Sequence, residues 1–166
     1  VSGTHGPSIK HITHIKHSGF SGSFTDRSGE TQPILMRLNS DLVTLCDAAL
    51  DGHIADIEVS WDKRCSLGVV MASAGYPDRY DIGLPIDGLD RSAADTAKVF
   101  HAGTHDRDAQ VLTSGGRVLC VTALGSDIES ARESVYSAIK TIHWPGAFWR
   151  GDIGHRALAR ERAEHK

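Results

Sequence analysis

Between Ser126 and Ile142 the apolar residues Ile128, Ala131, Val135, Ala138, Ile139 and Ile142 recur three and four positions apart, a period that only an α-helix turns into one face. Ser126 stands three residues before Glu129, the spacing of a capping box, and Trp144-Pro145-Gly146 breaks the run. A helix with a single apolar face needs a surface to lie on, and two β-rich stretches can supply it. Arg117–Ala123 (RVLCVTA) leads into the helix through Gly125, and Cys65–Ala72 (CSLGVVMA) has the composition of a strand buried on both faces. Lys98–Ala102 and Gln110–Thr113 read as shorter strands. The residues Thr113-Ser114-Gly115-Gly116 are expected to join the second of these to Arg117–Ala123 as a hairpin. Asn39 and Ser40 offer caps for a helix over Asp41–Leu50, with Leu42, Leu45, Cys46 and Ala49 on its apolar face and Gly52 as its stop. Tyr76–Asp90 reads as a structured loop or a set of short edge strands, and the tail Arg156–Lys166 as a short solvated helix. The expected class is α+β, a small mixed or antiparallel sheet with flanking helices.

A chain of 166 residues, 40% of them hydrophobic, can form one domain, or one domain with an appendage, without disulfides or metals to staple it. Eighteen Lys and Arg balance twenty-one Asp and Glu to a net charge of -3, which argues against a partner held by bulk positive charge. Neither nucleic acid nor membrane is expected. No apolar run approaches the ~18 residues of a membrane span. Cys46, Cys65 and Cys120 are isolated in apolar surroundings and read as buried, reduced thiols in a cytoplasmic protein. Residues 1–29 are rich in Ser, Gly, His and Thr without a sustained period, the pattern of a loosely ordered lead-in. Its His11, His14 and His17 repeat every three residues, but a helix rotates the third away from the first and a strand opposes the middle one. A flexible His-rich stretch is the expectation there, with metal binding as the competing reading.

Glycines at 75, 83, 88, 103, 115 and 116 could let backbone approach an anionic ligand closely, or could be ordinary turn residues. His101, beside Gly103-Thr104, could donate to a phosphate or carboxylate, or serve structurally at a strand end. Arg117, after Gly115-Gly116, could grip an anion with two parallel hydrogen bonds, or sit on the surface of a hairpin. No GxGxxG, Walker loop, HExxH or GxSxG is present. The spacing of residues therefore leads to glycine-rich loops able to take a small anion, and to no reaction.

Longer words go further. ETQPILMRLNSDLV (Glu30–Val43), WDKRCSLGVVMASAGYP (Trp61–Pro77), KVFHAGT (Lys98–Thr104), GGRVLCVTALG (Gly115–Gly125) and HWPGAFWRGDIGHRAL (His143–Leu158) resemble, in order, the C-terminal region of glycinamide ribonucleotide synthetase, the phosphoribosylamine–glycine ligase of the ATP-grasp family. The resemblance implies a fold of the rudimentary hybrid-motif type. It also implies a ligase that uses ATP with Mg²⁺ or Mn²⁺ to join glycine to phosphoribosylamine in purine biosynthesis. The family signature Arg-Phe-Gly-Asp-Pro-Glu-Thr-Gln, preceded by a Glu-x-Asn metal pair, is reduced here to Glu30-Thr31-Gln32-Pro33, with FTDRSG over residues 24–29. By resemblance, residues 1–29 are unmatched, 30–56 end the ATP-grasp unit with a connecting helix, and 57–166 form the C-terminal domain. Neither metal nor catalytic residues carry over, and neither ATP nor metal is expected to bind this chain tightly. The substrate side is expected at Glu30, Gly75, Tyr76, Pro77, His101, Gly103, Thr104, Gly115, Gly116 and Arg117. Two expectations compete: a ligase region inactive without ATP-grasp parts supplied as partner regions, and a non-catalytic docking module that keeps the fold.

Overall fold

The computed structural model describes residues 30–92 and 97–164; the histidine repeat lies outside them. Along the chain come α1 (Thr31–Met36), α2 (Leu42–Leu50), a 3-10 turn (Ile54–Asp56), β1 (Cys65–Ala72), α3 (Leu89–Ser92), β2 (Ala97–His101), β3 (Thr104–Arg107), β4 (Gln110–Thr113), β5 (Arg117–Gly125), α4 (Ile128–Ile139), β6 (Phe148–Trp149) and α5 (His155–Glu164). The expected α+β class holds, with a four-stranded antiparallel sheet in the order β2-β5-β1-β6.

Register decides which side chains meet. Leu67 pairs with Ala123, Val69 with Val121 and Met71 with Leu119, and because strand side chains alternate, these pairs share one face. That face meets Ala131, Val135, Ala138 and Ile139 of α4, all buried in one cluster with Ile142 just beyond the helix end. Each buried aliphatic side chain contributes about 1.5–3 kcal/mol, so the helix face read from the sequence is the main adhesive of the fold. The other sheet face receives α1. An added Cβ on Gly68 would stand 2.6 Å from Pro33 Cγ and 3.2 Å from Thr122 Oγ1. Pro33 falls in the first turn of α1, where no intrahelical N–H is needed, so it suits that start. β1 is thus covered on both faces, as expected.

Several expectations change. Asp127, not Ser126, caps α4: its carboxylate accepts from Ser130 N–H at 2.7 Å, and Ser130 Oγ accepts from Asp127 N–H at 3.3 Å. The cap therefore moves one residue along, with a charged acceptor at the positive helix end. Likewise Asp41, rather than Asn39 or Ser40, caps α2 through Thr44 N–H at 2.8 Å. Only Leu45 of α2 is fully buried. Cys46 is exposed, against expectation, because the helix turns its Leu42–Leu45–Ala48 side inward. Cys65 is half-buried and Cys120 buried.

The expected hairpin from Gln110–Thr113 into Arg117–Ala123 does not form. β4 pairs instead with β3 across Asp108 and Ala109, whose φ values of 51° and 62° make a two-residue turn. The far edge of β4 is occupied by the preceding loop: Thr113 N–H donates to Leu84 O at 2.8 Å and Ile86 N–H to Val111 O at 2.9 Å. Neither edge is left for β5. Tyr76–Gly88 is accordingly loop, with an isolated bridge from Pro85 to Leu112 and another from Asp87 to His143, and Leu89 and Asp90 open α3. No helix of the described residues is long and apolar enough to cross a membrane.

Candidate functional site

β1 and β2 end, and β5 begins, at the same edge of the main sheet. Three loops therefore meet there: Ser73 onward after β1, Ala102-Gly103 between β2 and β3, and Ser114–Gly116 between β4 and β5. Ser73, 1% exposed, ties the first loop to the third through its N–H to Gly116 O at 2.9 Å and its Oγ to Gly115 O at 3.3 Å. The second loop is held by Ala102 and Gly103 N–H, both donating to Val118 O at 3.0 and 3.1 Å. Ser114 N–H closes the triangle on Gly103 O at 2.7 Å.

Small residues are required where the loops cross. A Cβ on Gly103 would stand 2.6 Å from Arg117 O and 2.9 Å from Gly115 Cα. One on Gly116 would collide with the Tyr76 ring and come within 2.9 Å of Tyr80 Cε1. Gly75, at φ 84°, folds the first loop back so that Asp78 N–H reaches Gly75 O at 2.9 Å. The result is a glycine floor with two tyrosines on it, their ring centroids 6.2 Å apart. The Arg117 guanidinium lies over the Tyr76 ring, 5.8 Å from its centroid. Among the described residues no carboxylate pairs with Arg117. Beside this floor, Ala74, Asp78, Arg79, Tyr80 and Asp81 line an open cleft of about 510 Å³.

The structure therefore gathers Gly75, Tyr76, Pro77, His101, Gly103, Thr104, Gly115, Gly116 and Arg117 at one end of the sheet. His101 Nδ1 and Thr104 Oγ1 are 3.0 Å apart on its exposed rim. Glu30 stands apart, at the start of α1, exposed and without a side-chain capping bond. Sequence reasoning missed Ser73 and Tyr80. A serine closing a β-branched run just before Ala74-Gly75 could have marked the first; nothing in the spacing marks Tyr80, which depends on the loop folding back.

Among the described residues no three His, Cys, Asp or Glu side chains come together to hold a metal ion. The ionisable groups displaced from their usual range lie away from the loops. Hydrogen bonds from the Arg64 side chain and N–H hold Asp62 down at about 2, and those from Ser130 lower Asp127. Burial first, then the charge of Glu161, raises the Cys65 thiol.

Comparison with known proteins gives a consistent result. Residues 66–156, a stretch containing all three loops, match the family described as phosphoribosylglycinamide synthetase, C domain. The chain is 57% identical over 134 residues to the phosphoribosylamine–glycine ligase of Allochromatium vinosum, an overlap of 81% of this chain and 31% of that protein. It is 51% identical over 137 residues to the ligase of Pseudomonas putida, covering 82% of this chain and 32% of that one. For the Vibrio cholerae ligase the figures are 53% over 135 residues, 81% and 32%. The chain thus spans about a third of the length of these curated relatives. Among solved structures it is similar to phosphoribosylamine–glycine ligase from Thermotoga maritima, with a TM-score of 0.54 and 30% identity over 67% of this chain and 29% of that one.

Proposed function

The chain belongs to the phosphoribosylglycinamide synthetase C-domain family, and from that premise we propose that it forms the substrate-facing wall of a phosphoribosylamine–glycine ligase. The observation that carries this reading is that the family match runs through all three loops, which the fold closes into one floor. We place the domain boundary at residues 56 and 57, with 30–56 ending the nucleotide-binding region. ATP and Mg²⁺ or Mn²⁺ belong to the two-thirds of the relatives that this chain does not overlap. The described residues offer no ligand set for the metal, and no step is drawn through it.

In the reaction, a glycine carboxylate oxygen attacks the γ-phosphorus of ATP and ADP leaves, giving an acyl phosphate. The phosphoribosylamine nitrogen then attacks the acyl carbon, phosphate departs with the bonding pair, and the nitrogen loses a proton. Activation is needed because a free carboxylate is a poor electrophile, and an acyl phosphate is easily lost to water. The chain's contribution is to close one side of that space. Arg117 is the cation facing the phosphate of phosphoribosylamine, while the glycines keep the floor low enough for the ligand to approach. The setting is cytosolic purine biosynthesis.

The test is glycine- and phosphoribosylamine-dependent ADP release. Residues 1–166 alone are expected to show none, and mixing with the complementary N-terminal two-thirds of the A. vinosum ligase is expected to restore turnover. In the reconstituted enzyme, Arg117→Gln should raise KM for phosphoribosylamine about 10- to 100-fold, the equivalent of a charged hydrogen bond of ~1.5–3 kcal/mol. An unchanged KM would remove Arg117 from the site, and turnover by the chain alone would overturn the division of labour. The second reading, a docking module without catalytic role, draws on α2, where Val43 and Leu50 are 66% and 86% exposed. It predicts complex formation with the N-terminal part and no gain in turnover.

A further inference from the structure

Among the described residues an arginine lies over a tyrosine ring at two places, and the two differ in one respect. Arg132 stands 4.9 Å from the Tyr136 ring centroid and spends its guanidinium on Gly151 O at 2.8 Å. Tyr136 in turn donates to Arg150 O at 2.6 Å, so the whole group is a closed structural tie. Arg117 has the same stacked arrangement on Tyr76, but among the described residues its guanidinium has neither a carboxylate nor a carbonyl acceptor. An arginine ordinarily spends its five donors on acceptors or water. Here, among the described residues, no protein acceptor takes these donors, and the plane is supported from one side.

The support is built in depth. Tyr76 rests on Gly116, where any Cβ would collide with the ring, and Tyr80 packs beside it with its ring tilted by 55°. Gly116 O is itself fixed by Ser73 N–H. Backbone, ring and guanidinium thus form a stack whose lower members are held by buried contacts and whose top member is half-buried.

We propose that Tyr76 is a positioning residue rather than a ligand contact: its ring, seated on Gly116, aims the Arg117 guanidinium at an incoming phosphate group. This rests on the reading of Arg117 as the phosphate-facing cation. A free arginine side chain loses much rotamer entropy on binding; one already laid on a ring loses less. A cation–π contact at a partly exposed site is worth ~0.5–1 kcal/mol, which corresponds to a roughly two- to five-fold change in affinity.

The experiment uses the full 166-residue chain with ¹⁵N-labelled arginine, titrated with inorganic phosphate while the Arg117 Nε–H resonance is followed. In the wild type that resonance is expected to carry an upfield ring-current shift and to move saturably with phosphate. Tyr76→Phe keeps the ring and should retain both properties. Tyr76→Leu should lose the ring-current shift and weaken phosphate binding two- to five-fold. Arg117→Lys keeps the charge without the planar fork and should weaken binding by at least as much. Phosphate binding unchanged in Tyr76→Leu would overturn the positioning role while leaving the site. Binding that survives Arg117→Gln, or its absence in the wild type, would instead overturn the reading of Arg117 itself.

Discussion

Ala109 is a residue in the wrong chemistry for its backbone. At φ 62° beside Asp108 at 51°, it occupies the left-handed region that costs an L-residue ~1–2 kcal/mol, part of which glycine returns in unfolded-chain entropy. Ala109→Gly is expected to stabilise the chain by about 0.5–1 kcal/mol, read as a rise in denaturation midpoint at constant m-value. Gly68 poses the opposite case. Its missing Cβ makes room for Pro33, whose ring cannot swing aside, so Gly68→Ala should cost ~1–3 kcal/mol or push α1 off the sheet. Asp62 and Asp127 set a pH dependence whose sign follows from their hydrogen bonds. Both carboxyls are lowered in the folded state, Asp62 to about 2. Their contribution is therefore complete above the unfolded value of ~3.9 and fades as pH falls toward 2. Thermal unfolding followed from pH 6 to pH 2 should show Tm falling mainly below about pH 4. In Asp127→Asn, whose neutral amide can still cap, that fall should be shallower.

At the level of elements, α4 was legible because its signal is redundant: a long apolar stripe, polar intervening residues and a cap all agree. Its exact start was not, since Ser126 and Asp127 both suit the position and only the geometry of Ser130 selects between them. The β3–β4 hairpin was missed for a related reason. Its turn residues are Asp108-Ala109, without the glycine that marks such turns, whereas Gly115-Gly116 carries the stronger hairpin signature and serves instead as a crossing floor. A glycine pair reports that the backbone needs freedom, and it does not say whether the need is a turn or a close approach. The helix α2 shows the limit of periodicity in short segments. Apolar residues surround most of it, so the stripe chosen from the sequence included Cys46, which is exposed.

Over the whole molecule, the exposed side of α2 and the glycine floor lie on different parts of the fold, and the two can be tested separately. A Val43→Asn, Leu50→Gln double variant should leave the stability of this chain within about 0.5 kcal/mol, since neither side chain is buried. It should weaken restoration of ADP release by the N-terminal part, and equal restoration would remove α2 from any docking face. Sequence alone determined the class of fold, the strands β1 and β5, the helix over them and, through five words in order, the family. These depend on local periodicity and on extended residue strings, both of which are complete within the linear chain. Only the tertiary structure decided that the loops after β1, β2 and β4 share one end of the sheet, that Ser73 locks two of them together and that Arg117 lies on Tyr76. Each of those facts depends on antiparallel register bringing residues distant in the chain into contact, and register is set by which side chains can be buried together across the strands.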